Sequence, residues 1–117
     1  MSAYLIVRAK VKEEHRGAFD KWYQSEHLPD ALQNFKSISA MRGWSDVEDN
    51  VHLAFYEFPT LAAANKLLGS ELMRDFIDEF DKHWEGKVTR TREVFEVRQL
   101  SWLAADSRRI RKCASNI

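Results

Sequence analysis

The chain has 117 residues, 18 Lys and Arg against 18 Asp and Glu, and 44% apolar residues. That length and composition suit one domain with its own core and argue against a disordered chain. A formal charge of zero with no basic stripe gives nucleic-acid binding no support, and no apolar run approaches the roughly 20 residues of a membrane helix. The charge is nevertheless uneven. Residues 1–97 carry 13 positive and 17 negative side chains, whereas the remainder carries five positives against Asp106 alone. A single cysteine, Cys113, leaves no intrachain disulfide, and "MSAYLIV" lacks the features of a secretion signal, so a cytoplasmic setting is expected.

Residues 3–11 alternate. Ala3, Leu5, Val7, Ala9 and Val11 fall on one face, with Tyr4, Ile6, Arg8 and Lys10 on the other, which predicts a strand. From Glu13 the period changes. His15, Phe19, Trp22, Tyr23, Glu26 and His27 recur at helical spacing, and Pro29 predicts a kink or restart, with a second piece to Phe35. Alternation returns in residues 38–45, where Ile38, Ala40, Arg42 and Trp44 share a face. It continues in "VHLAFYEF", where His52, Ala54, Tyr56 and Phe58 share one. The polar link "EDN" predicts an antiparallel hairpin, whose register the spacing leaves open. Thr60 and Ser70 are candidate N-caps for a helix interrupted at Gly69-Ser70 and stopped by Gly86. Residues 87–97 predict a last strand packed through Val88, Val94, Phe95 and Val97. Glu57, Glu93 and Glu96 with Arg90, Arg92 and Arg98 are expected to form surface ion pairs.

The order strand, helix, strand, strand, helix, strand predicts an α+β fold. This is a ferredoxin-like βαββαβ sandwich, a four-stranded antiparallel sheet with two helices on one face. Residues 1–99 would form the domain and 100–117 a basic tail, partly disordered or helical. The other sheet face keeps apolar side chains that nothing in the chain covers, so a homodimer packed sheet to sheet is expected.

The element order, "WYQSEHLPD" in the first helical stretch and "FIDEFDKHW" leading to "KVTRTR" resemble the dimeric α/β-barrel superfamily. The chain is most similar to small bacterial members and more distantly to the EthD-like group. That resemblance, over residues 3–98, implies the fold and the dimer. It leaves open cofactor-independent monooxygenase, isomerase and cyclase chemistry, as well as non-catalytic ligand sensing. It also places His27, Leu28 and Pro29 on the His-x-Pro element of EthD-like proteins. Haem-degrading relatives need an asparagine on the first strand, which is missing here, so no cofactor is expected.

His27 is the first candidate for chemistry, because an imidazole of near-neutral pKa can move a proton. Its bland alternative is to bond carbonyls freed by the proline. Arg42 and His52 are the other catalytic candidates, as stabilisers of developing negative charge. Trp22, Tyr23, Trp44, Tyr56 and Tyr4 are the substrate-binding candidates for a small apolar or aromatic molecule. The four histidines are too dispersed for a metal site, and no phosphate loop or nucleophile motif occurs.

Overall fold

A computed structural model of the chain describes residues 1–103. Cys113 and the expected basic tail beyond residue 103 lie outside the described residues. The elements are β1 (Ala3–Val11), a 3-10 turn (Glu13–His15), α1 (Arg16–Trp22), a π turn (Tyr23–His27) and α2 (Leu28–Phe35). After these come β2 (Ser39–Trp44), β3 (Val51–Phe58), α3 (Leu61–Leu68), α4 (Glu71–Trp84) and β4 (Val88–Glu96). All strand pairs are antiparallel, in the order β2-β3-β1-β4, and the helices cover one face. This is the expected ferredoxin-like sandwich. No helix among the described residues is long and apolar enough to cross a membrane.

Each helical layer is built of two pieces, for different reasons. Between α3 and α4, Ser70 serves both helices: its hydroxyl donates to the Leu67 carbonyl at 2.6 Å and accepts the Met73 N–H at 3.1 Å. Thr60 caps α3 in the same way, accepting the Ala63 N–H at 3.1 Å. Gly86, at φ +79°, turns the chain from α4 into β4.

In the first layer the irregularity falls one turn before the expected kink. Pro29 has no N–H, so the Ser25 carbonyl lacks its usual donor four residues on. The chain absorbs this with one wide turn, in which the Leu28 N–H bonds the Tyr23 carbonyl five residues back. A regular helix would put residues 22 and 27 on different sides. Here their rings stack, with centroids 4.7 Å apart and planes 21° from parallel.

Strand register assigns the inner face of the sheet. Ala40, Tyr56, Leu5 and Val94 form one row; Arg42, Ala54, Val7 and Arg92 the next; Trp44, His52, Ala9 and Arg90 the third. Both edges of this face therefore carry arginine, and in the second row Ala54 and Val7 stand between them. Arg90 and Arg92 were expected in surface ion pairs, and their register turns them inward instead. Arg98 and Glu96 do pair on the surface, at 3.2 Å. Phe95 faces outward and is 54% exposed, against the packing role expected of it. Together with Tyr4, Ile6, Met41 and Phe55 it makes an apolar hollow on the uncovered face.

Phe19 sits at the centre of the core, fully buried. Its ring lies 5.1 Å from His52, 5.2 Å from Trp84, 5.5 Å from Tyr23 and 6.0 Å from Phe80, so it joins α1 to β3 and α4. Truncation leaves a cavity that none of these rings can fill. Phe19→Ala is expected to lower unfolding free energy by about 3–5 kcal/mol, measured by urea denaturation; a loss below about 1 kcal/mol would contradict this packing.

Candidate active site between sheet and helices

The hairpin register puts Arg42, Trp44, His52 and Tyr56 on the inner face, where α1 reaches them with Asp20. One Asp20 carboxylate oxygen accepts from Arg42 Nη1 at 2.8 Å and from Trp44 Nε1 at 2.8 Å. These two hydrogen bonds hold its carboxyl below the usual carboxylate range. Arg42 Nη1 also lies 3.3 Å from His52 Nε2. A guanidinium only donates, so this nitrogen carries the lone pair and the His52 proton sits on Nδ1. Burial, reinforced by Arg42, pulls His52 down to about 4 against the weaker opposing pull of Asp20. His52 is therefore neutral and locked. Its ring packs 4.5 Å from that of Tyr23.

Beyond Tyr23 lies a cavity of about 30 Å³, room for roughly one water. Leu5 and Val7 form its floor, Met73, Phe76, Ile77 and Phe80 its helical wall, and Tyr23, Tyr56, His27, Arg90 and Arg92 its polar groups. The two phenols bond each other at 2.7 Å. Burial pushes Tyr23 up to about 12 and Tyr56 well above the ordinary phenol value, so both stay protonated.

The two arginines differ. Arg90 is committed: it pairs with Asp81 at 2.9 Å and lies 3.9 Å over the Phe80 ring. Arg92 has no carboxylate partner among the described residues, whose other inward arginines are held by Asp20 and Asp81. Burial and the charge of Arg90 pull its pKa below the ordinary arginine value, though a guanidinium remains charged throughout the working range.

His27 does not bond a freed carbonyl. The ring hydrogen bonds of histidines among the described residues belong to His52 and His83. The His27 ring is held by aromatic contacts, stacked on Trp22 and edge-on to Tyr23 at 4.7 Å, to Phe80 at 5.8 Å and to Phe76 at 5.9 Å. Burial, with repulsion from Arg90 and other nearby positive groups, pulls it down to about 4. It is a neutral imidazole with an uncommitted lone pair.

Among the residues singled out from sequence, His27, Tyr23 and Tyr56 meet at the cavity. Arg42, His52 and Trp44 form a locked cluster behind Tyr23 and do not line it, because Asp20 draws Arg42 and Trp44 toward α1. Trp22 is on the outer side of His27, facing a groove between α2 and α4. Tyr4 is no part of the cluster: the pleat directs it to the uncovered face. Asp20, Arg90 and Arg92 were missed as site residues. Arg90 and Arg92 share parity with Val88 and Val94 in the last strand, the one signal that could have turned them inward. No group of three or more His, Cys, Asp or Glu among the described residues could hold a metal ion.

No family model matches the sequence. No curated protein matches it either. Solved structures do resemble it. A protein of Deinococcus radiodurans assigned as an antibiotic biosynthesis monooxygenase superposes with TM-score 0.64 at 14% identity, over 88% of this chain and 99% of that one. A mutant of SnoaB, a cofactor-independent oxygenase from Streptomyces nogalater, gives 0.60 at 13% identity, over 85% and 95%. An ethyl tert-butyl ether D (EthD) family protein from Bacillus halodurans gives 0.60 at 14%, over 80% and 97%. At these identities the likeness establishes a shared ferredoxin-like α/β fold and no activity.

Two neutral imidazoles, His52 buried and His27 partly buried, make stability depend on acid. In the unfolded chain each takes up a proton near its ordinary value of 6.5, and in the fold only near 4. Stability is therefore complete above pH 6.5 and falls as pH drops toward 4, by at most about 1.4 kcal/mol per pH unit for each ring. Urea unfolding at stepped pH should show that slope, and His27→Leu should make it shallower. An unchanged slope in the variant would mean that His27 protonates freely in the fold.

Proposed function

We propose that the protein binds a small, largely apolar molecule carrying an ionisable O–H, or a C–H beside a carbonyl, in the cavity between sheet and helices. His27 moves a proton there without a cofactor. The observation that carries this reading is the pairing, at one apolar cavity, of a neutral imidazole with a half-buried guanidinium that lacks a carboxylate partner among the described residues. A half-buried cation with no carboxylate in direct contact, only the more distant pull of Asp81, is incompletely compensated, and a ligand that becomes anionic in place would complete it.

In the proposed step the ligand's O–H or C–H bond breaks, its proton goes to the His27 lone pair, which the new anion makes more basic than it is in the empty fold, and the charge left behind is held by Arg92. The Tyr23–Tyr56 pair, protonated at working pH, supplies a further donor. Return of the proton to a different carbon is an isomerisation; reaction of the carbanion with dioxygen begins an oxygenation. SnoaB, described as a cofactor-independent oxygenase, is a precedent for cofactor-free chemistry on this fold. Arg42 and His52 act from behind, by fixing the Tyr23 ring. A second reading is a non-catalytic ligand-sensing or interaction dimer, favoured by the small size of the cavity.

Para-nitrophenol tests the electrostatic core of the proposal, because its ionisation is visible. Bound to the wild-type protein, it should ionise at least about one pH unit below its value in solution, a shift lost in Arg92→Met. Ionisation at the solution value in both proteins would sink the catalytic reading.

Self-association belongs to the same proposal. The hollow formed by Tyr4, Ile6, Met41, Phe55 and Phe95 lies on the uncovered sheet face, where a second copy would shield it. Sedimentation equilibrium at micromolar concentration should give a dimer. Met41→Glu combined with Phe95→Glu should give a folded monomer, since both side chains are more than half exposed. A monomeric wild-type protein would refute this arrangement.

A further inference from the structure

Immediately outside the cavity lies a groove of about 490 Å³ between α2 and α4. His27 and Phe76 line both spaces, and their rings, 5.9 Å apart, form a partition between them. The β4 side of the cavity is closed off differently, by Arg90 held to Asp81 and laid over Phe80. An edge-on contact between two uncharged rings yields more easily than a charged pair under a cation–π contact. The cavity is too small for an aromatic ligand as it stands, so something in its wall must move.

The two spaces have opposite charge. The cavity lining includes Arg90 and Arg92 and no carboxylate. The groove lining includes Glu26, Asp30, Asp75 and Glu79 and no lysine or arginine. Glu79 is partly offset by Lys82 at 3.9 Å. Glu26, Asp30 and Asp75 have no ion-pair partner among the described residues, which leaves the groove negative. A site meant for a ligand that arrives as an anion would have its basic groups at the mouth as well as inside.

We propose that the groove between α2 and α4 is the way into the cavity, through the His27–Phe76 partition, and that it admits an un-ionised acid while turning away carboxylates. The ligand class is thereby narrowed to phenols and enolisable carbonyl compounds that are neutral in solution and lose their proton only beside His27 and Arg92. This inference rests on the cavity reading above and goes beyond it in naming the entrance and the charge of the ligand that passes. Proton loss inside the partition separates the new anion from the acidic groove, so the same carboxylates that exclude foreign anions disfavour escape of the one formed within.

The test compares para-nitrophenol, at a pH where it is un-ionised, with para-nitrobenzoate, which matches it in shape but carries a charge. Association rates are followed by quenching of tryptophan fluorescence in the wild-type protein and in Glu26→Gln/Asp30→Asn/Asp75→Asn, whose three positions are exposed. In the wild type para-nitrobenzoate should associate at least about tenfold more slowly than para-nitrophenol. The triple variant, or high salt with the wild type, should remove most of that difference and leave the phenol's rate unchanged. Equal rates in the wild type, or a difference insensitive to both the variant and salt, would overturn the proposal. If both probes bind without discrimination while the bound phenol still ionises through Arg92, the entrance is wrong and the cavity reading stands. If neither binds, both fall together.

Discussion

The absence of an N–H on Pro29 is the constraint from which the site follows. A helix that cannot make one of its regular bonds must bend, break or widen, and this one widens over Tyr23–His27. The extra residue in that turn brings Trp22 and His27 into a stack, and directs Tyr23 onto His52 and Tyr56. A regular helix would also set Tyr23 and His27 on one side, but it would turn Trp22 away from His27. The wide turn thus converts a local backbone defect into a partly buried imidazole with nothing bonded to its ring, which is the element of the fold that local packing does not require.

The inner face of the sheet treats its three arginines unequally, and the difference has a physical reading. Arg42 meets Asp20 from α1, and Arg90 meets Asp81 from α4, so each charge is compensated as it is buried. Arg92 lies one row from Arg90 on the same strand and faces an apolar cavity wall. Ordinary stability favours a neutral side chain at such a position, because desolvating a guanidinium without a partner is unfavourable. Departures from local rules that lack compensation are where function is to be sought. The Asp20–Arg42–His52 cluster has the opposite character: its groups are fully engaged with each other, and it serves to hold Tyr23.

Much of this was legible in the sequence. Strict alternation in residues 3–11 and 51–58 gave the inner faces of β1 and β3, and Thr60, Ser70 and Gly86 marked where helices begin and end. The strands around Arg42 and Tyr56 were identified, but whether their faces coincide depends on a register that the six-residue link between them does not reveal. Arg90 and Arg92 read as surface residues because arginines in a polar strand usually are, although their parity with Val88 and Val94 placed them inward. Asp20 drew no reading at all: its two partners come from a strand more than twenty residues away, and a helical pattern cannot show them. Tyr4 was grouped with the inward aromatics by residue type, whereas alternation with Leu5 sends it to the opposite side. The wide turn was signalled by Pro29 but displaced from it, since the bond that proline removes belongs to the carbonyl four residues earlier.

The cavity is the place where a ligand oxygen is expected to meet both His27 and Arg92. A crystal structure of the protein soaked in para-nitrophenol addresses this most directly. The expected result is a ligand behind a displaced His27–Phe76 pair, with its phenol oxygen within hydrogen-bond distance of the His27 ring and the Arg92 guanidinium. A ligand found only in the outer groove or on the sheet's uncovered face, with the cavity still closed, would contradict it.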